Sequence, residues 1–186
     1  LPGDSRDFYI ARMDWAASSR ELVLQRLNRL QNTNWVLLGD IFTGRTRTVF
    51  TDRDEAWVEV VDDLYWLEQD KYFTWMSERD GWNHLYRYDW QTGEVVNQIT
   101  KGRWVVRDVD RIDEENRQIW FQASGINPDQ DPYYIHHCRI DFDGSNLVKL
   151  TEGNGTHSVR YSPNQAYLID TFSRVDQANV TDVRRV

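Results

Sequence analysis

Apolar and polar positions alternate in short bursts along most of this chain, and the clearest burst is Tyr72 to Thr100, YFTWMSERDGWNHLYRYDWQTGEVVNQIT. Three strands are predicted there: Tyr72–Met76, His84–Tyr88 and Glu94–Ile99. Aromatic and β-branched residues fill them, as suits a pleated, half-buried surface. The polar stretches Ser77–Gly81 and Asp89–Gly93 join them, with Gly81 and Gly93 placed where a tight turn calls for positive φ. A second burst, Leu22, Val23, Leu24, Leu27 and Leu30, also fits helical spacing, and periodicity alone does not separate helix from strand in so short a run.

A repeat separates them. Gly44 precedes Thr51, Gly93 precedes Thr100 and Gly144 precedes Thr151 by the same seven residues, and the glycines lie 49 and 51 residues apart. An aspartate stands shortly before each glycine (Asp40, Asp89, Asp141), at the end of an apolar strand: Trp35–Leu38, Leu85–Tyr88 and Ile135–Ile140. Each threonine is followed by a further expected strand, Trp57–Val61, Trp104–Val109 and His157–Tyr161. A tandem unit of four strands in about 40–50 residues is the signature of a β-propeller blade. The expected fold is therefore all-β: about three complete four-stranded antiparallel blades plus part of a fourth. Their approximate bounds are residues 8–51, 57–100, 104–151 and 157–186 of a single propeller fragment. The blade phase makes Glu21–Leu27 a strand and leaves the last unit without its fourth.

Composition supports stacked sheets, since nine tryptophans and nine tyrosines supply the large rings that fill the space between them. The net charge, 22 − 30 = −8, argues against a nucleic-acid partner, which favours a basic stripe. Cys138 is the only cysteine and reads as a buried apolar residue, so neither an internal disulfide nor a cysteine metal site is expected. That usage suits a reducing compartment or an exported, for instance periplasmic, parent. No run of apolar residues is long enough for a membrane span, and Leu1-Pro2-Gly3-Asp4 does not open a signal peptide.

Four stretches in order, QRLNRLQN at Gln25–Asn32, WMSERDGWNHL at Trp75–Leu85, ITKG at Ile99–Gly102 and THSV at Thr156–Val159, resemble the propeller domain of the dipeptidyl peptidase IV subfamily of serine peptidases. The resemblance covers nearly the whole chain. It implies an eight-bladed propeller capping a C-terminal α/β-hydrolase domain with a Ser-Asp-His triad. It also implies release of X-Pro or X-Ala dipeptides from peptide N-termini, and a propeller that restricts access to the active site.

The chain itself carries no G-x-S-x-G nucleophile elbow, so no catalytic residue is expected in it, nor any cofactor or metal. Glu114-Glu115 resembles the family's amine-gripping glutamates in letters alone, because it falls on an expected hairpin turn. His136-His137 are strand neighbours that point to opposite faces and cannot chelate one ion together. Asp52, Asp54, Glu55, Glu59, Asp62 and Asp63 form an acidic run around Trp57, read first as the charged ends of an innermost strand. In the family the corresponding strand lies near the substrate pocket, which makes Trp57, Glu59 and Asp62 the substrate-channel candidates. A stand-alone protein-binding propeller is the alternative reading. Self-association is expected through end-blade faces, at Phe8–Leu27 or Tyr161–Phe172, where large apolar side chains lack a neighbouring blade.

Overall fold

A computed structural model describes residue 4, residues 6–62 and residues 64–186. Fifteen strands and, among the described residues, no helix form four antiparallel sheets, each in simple chain order. The first holds β1 (Phe8–Trp15), β2 (Glu21–Asn28), β3 (Thr33–Asp40) and β4 (Thr46–Arg53). The second holds β5 (Trp66–Leu67), β6 (Tyr72–Ser77), β7 (His84–Asp89) and β8 (Val95–Gln98). The third holds β9 (Val105–Asp113), β10 (Gln118–Ser124), β11 (Ile135–Asp141) and β12 (Val148–Lys149). The last has three strands, β13 (Thr156–Tyr161), β14 (Tyr167–Arg174) and β15 (Gln177–Arg185). The fold is part of a β-propeller, and Glu21–Leu27 is a strand.

In the second and third sheets the Gly–Thr repeat has a mechanical cause, whereas Gly44 has open space around it. Gly93, in the β7–β8 turn, has φ +74° and faces the backbone of β4, where an added Cβ would fall 1.9 Å from the Val49 carbonyl oxygen. Gly144, in the β11–β12 turn, has φ +87°, and its Cβ would fall 2.8 Å from the Ile99 carbonyl oxygen. Each turn thus presses on the outer end of the preceding sheet, and a residue without Cβ is needed there. The threonines close the same motif: Thr100 Oγ1 accepts from the Leu85 N–H at 2.9 Å, and Thr151 Oγ1 from the His137 N–H at 3.0 Å. Asp40 and Asp89 tie the turns, each Oδ1 accepting two backbone N–H groups; Asp143 does this work, through one backbone N–H, in the third sheet. Asp141 instead accepts from the Gln118 and Asn146 side chains.

The chain divides into two compact units, one running to residue 79 and including 87–96, the other made of 80–86 and 97–186. In the first, Phe50 of β4 stacks on Tyr88 with ring centroids 4.3 Å apart and meets Trp75 edge-on at 4.9 Å. In the second, Trp104 stacks on Phe121, while Trp120 meets Tyr161 edge-on at 4.9 Å and packs with Leu150 and Leu168. Trp75, Trp104 and Trp120 are core, but Trp82 is exposed and Trp66 and Trp90 are only half-buried.

Two expectations fail here. Residues 57–61 are not a strand; the second sheet begins with the two residues of β5 instead. Burial falls on Val58 and Val61, three apart, which breaks the two-residue alternation a strand requires. Asp52, placed by its neighbours in a solvated acidic run, is buried: its carboxylate accepts from Trp75 Nε1 at 2.8 Å. Asp63 lies outside the described residues.

Candidate functional site

The segment 54–62 is a strap laid against the first sheet, and the stretch Gln25–Asn32 builds its seat. Asn28 Oδ1 accepts from the backbone N–H of Asn32 and Thr33, both at 3.1 Å, which holds the β2–β3 turn. Gln31 sits in that turn with φ +56°, so its carbonyl and that of Asn32 face outward. They accept from the Val58 and Asp54 N–H groups at 2.8 and 3.2 Å. Gln25 is buried and clamps the other end: its Nε2 donates to the Val61 carbonyl at 2.5 Å, and its Oε1 accepts from the Val61 N–H at 3.1 Å. Asn34 Nδ2 steadies the same Oε1 from behind at 3.0 Å. A backbone polar pair that a ladder would satisfy is here met by one side-chain amide.

Asp54 starts the strap as a local cap, its Oδ1 accepting from the Ala56 and Trp57 N–H groups. With Val58 and Val61 held inward, the side chains between them face out. Trp57 is 49% exposed, and its Nε1 donates to Glu59 Oε2 at 3.4 Å. Asp62 pairs with Arg12 of β1 at 2.5 Å, with both side chains more than half exposed. The structure therefore brings Trp57, Glu59 and Asp62 onto one strap, with Arg12 as a partner the sequence did not point to. Asp54, Glu55, Glu59 and Asp62 are all exposed carboxylates, with Arg12 paired to Asp62. Such an arrangement attracts a cation and offers a ring face to it, but it supplies no nucleophile.

The other sequence candidates fall elsewhere. Glu114 and Glu115 lie in the exposed β9–β10 turn, which Asp113 caps through the Asn116 N–H at 3.0 Å. His136 and His137 engage different partners: His137 Nδ1 pairs with Asp110 at 2.6 Å, whereas His136 Nε2 meets Gln130 at 2.8 Å. Burial alone would raise the Asp110 carboxyl, but hydrogen bonds from His137, Gln122 and Tyr161 hold it below its ordinary value. Burial pushes the Tyr161 hydroxyl well above its own range, with Asp110 adding to the effect. His136 is drawn down to about 4, first by burial and then by the nearby charges of His157, Lys149 and His137.

His157 and Asp170 were not anticipated as a pair. Nδ1 lies 2.8 and 3.0 Å from the two carboxylate oxygens, both side chains are fully enclosed, and Arg184 Nε approaches the same carboxylate at 3.3 Å. His157 stood in a motif stretch, but nothing local marks Asp170 as its partner. The His157–Asp170 pair is sealed from solvent and links β13 to β14.

The profile of the dipeptidyl peptidase IV (DPP IV) N-terminal region matches residues 1–179. The crystal structure of Porphyromonas gingivalis dipeptidyl peptidase 4 superposes with a TM-score of 0.79 at 28% identity, over 100% of this chain and 25% of that one. A protein of Aspergillus flavus named probable dipeptidyl peptidase 4 is 23% identical over 184 residues, 93% of this chain and 23% of its own length. The dipeptidyl peptidase 4 of Arthroderma otae is 25% identical over 124 residues, 63% of this chain and 16% of its own. The chain thus spans about a quarter of the length of the longest of these matches. With the match running from the first residue through most of the last sheet, this chain belongs to the dipeptidyl peptidase IV N-terminal region family.

Proposed function

We propose that this chain is the non-catalytic propeller portion of a dipeptidyl peptidase IV-like serine peptidase that releases X-Pro and X-Ala dipeptides. Family membership over residues 1–179, in a chain with no G-x-S-x-G, carries the reading. In it, the chain shapes the path of a peptide N-terminus toward an α/β-hydrolase domain supplied outside residues 1–186. The four sheets, β1–β4, β5–β8, β9–β12 and β13–β15, act as one propeller fragment.

The strap is the part of the chain that meets substrate. A peptide entering amino end first carries one ammonium, and Glu59 and Asp62 present carboxylates to it. In water such a pair is worth about 1 kcal/mol at 4 Å. Salt screens exposed charges over roughly 10 Å at 0.1 M. The strap therefore steers and does not clamp.

The test uses the full-length parent enzyme and Ala-Pro p-nitroanilide. Glu59→Gln and Asp62→Asn should each raise KM about twofold to fivefold at low salt, with kcat unchanged and the effect fading by 0.5 M salt. Residues 1–186 alone should release no nitroaniline above buffer. Full-length protein that is inert on X-Pro and X-Ala substrates, and that lacks G-x-S-x-G, would replace this reading with a stand-alone binding propeller.

A further inference from the structure

Within the first unit a cleft of about 350 Å³ opens among the β1–β2, β5–β6 and β7–β8 connections, away from the strap residues. Its apolar walls are Trp66 and Trp90, whose rings stand 6.4 Å apart at 81°, one presenting its face to the other's edge. Around them converge Glu21, Gln69, Asp70 and Gln91. Among the described residues no intrachain hydrogen bond occupies these two carboxylates or two amide side chains. Half-buried rings beside several idle hydrogen-bonding groups are the composition of a small-molecule site, and the volume falls in the range of such sites.

The loop that forms one rim is held in an unfavourable conformation. Glu68, Gln69 and Asp70 have φ of +55°, +55° and +64°, three left-handed residues in succession and none of them glycine. Side chains with a Cβ rarely adopt this region. The turn is anchored by Glu68, paired with Arg87 at 2.5 Å. Strain of this kind is kept where the position of a side chain matters more than its stability. The loop places Gln69 and Asp70 on the rim of the cleft.

We infer that this cleft binds a pyranose: a neutral, polyhydroxylated ring that packs against Trp66 and Trp90 and donates hydroxyls to Glu21 and Asp70. The donor and acceptor balance selects this class. Ionised carboxylates only accept, and a proline-rich segment, the usual partner of paired tryptophans, has few N–H groups to give. A quaternary ammonium is disfavoured by local cations: the Arg47 guanidinium already lies 5.5 Å over the Trp90 ring, and Lys71 stands on the rim. Sugar hydroxyls donate and accept, which suits carboxylates and amides together.

The inference is independent of the peptidase reading, and its test requires no catalysis. Saturation-transfer difference NMR on residues 1–186 uses three probes: cellobiose, an Ala-Pro-repeat peptide and tetramethylammonium. Saturable signal from cellobiose is expected, abolished by Trp90→Ala. Glu21→Gln, which leaves the packing alone, should weaken it about tenfold, the usual cost of a charge-assisted hydrogen bond. Thermal melting of both variants separates lost binding from lost fold. Silence from cellobiose overturns the inference, as does binding confined to the peptide or the ammonium, or cellobiose binding indifferent to both substitutions in folded protein.

Discussion

Removing the Asp170 carboxylate tests whether the last sheet depends on its enclosed carboxylate–imidazole contact. In the native chain that carboxylate faces His157 Nδ1 at 2.8 Å and Arg184 Nε at 3.3 Å, and neither Asp170 nor the His157 side chain is exposed to solvent. Asp170→Asn keeps the volume but removes the negative charge that faces the Arg184 guanidinium and can turn an amide N–H toward His157 Nδ1. Leaving a buried hydrogen-bonding partner unsatisfied costs about 1–3 kcal/mol. For a chain of this length, each kcal/mol lowers Tm by about 2–4 °C, so a fall of roughly 2–12 °C is expected. The double variant His157→Phe, Asp170→Leu should recover most of it. Phe fits beside Phe172, on which His157 already stacks at 4.9 Å, and Arg184 retains Glu152 at 3.1 Å. Urea melts of the four-member cycle measure the coupling directly. A single variant that costs less than about 1 kcal/mol refutes the argument, as does a double variant no better than the sum of the two singles.

Further outcomes follow from single residues. Gly93→Ala should lower stability by more than about 2 kcal/mol in a urea melt, from its positive φ and the Val49 carbonyl in its path. Gly81→Ala, at φ +93° with open space around it, should lose only the conformational part. Because the fold holds His136 neutral down to about 4, its contribution is fully present above the unfolded value near 6.5 and is lost as pH falls from there toward 4. His136→Gln should flatten the stability profile in that window. The depressed Asp110 carboxyl acts only at lower pH. Cys138, enclosed and pushed up to about 12 by burial, should ignore Ellman's reagent at pH 8 until guanidinium unfolds the chain, then give one equivalent. Met13 and Trp15 on β1, and Ile169 and Val183 on β14 and β15, are exposed apolar side chains. Light scattering should therefore show mass rising with concentration, reduced by Trp15→Glu, whereas a constant monomer mass would contradict self-association.

Most of the strands, the turns between them and the repeat that makes them a propeller were legible in the sequence. These depend on short-range rules: alternation along a strand, a glycine where φ is positive, a threonine seven residues later. The seat for the strap was also present as QRLNRLQN, although its letters did not say what they hold. Only the tertiary structure decided that residues 57–61 are not a strand, because Gln25 supplies the hydrogen bonds of Val61 from 36 residues away. It likewise put Asp52 beneath Trp75, which lies 23 residues further on, and closed Asp170 onto His157 across a hairpin. A carboxylate reads the same in sequence whether solvated or enclosed, since its state is set by which distant donor reaches it first. The cleft beside Trp66 and Trp90 has the same origin: three connections meet there, and no one of them contains the site.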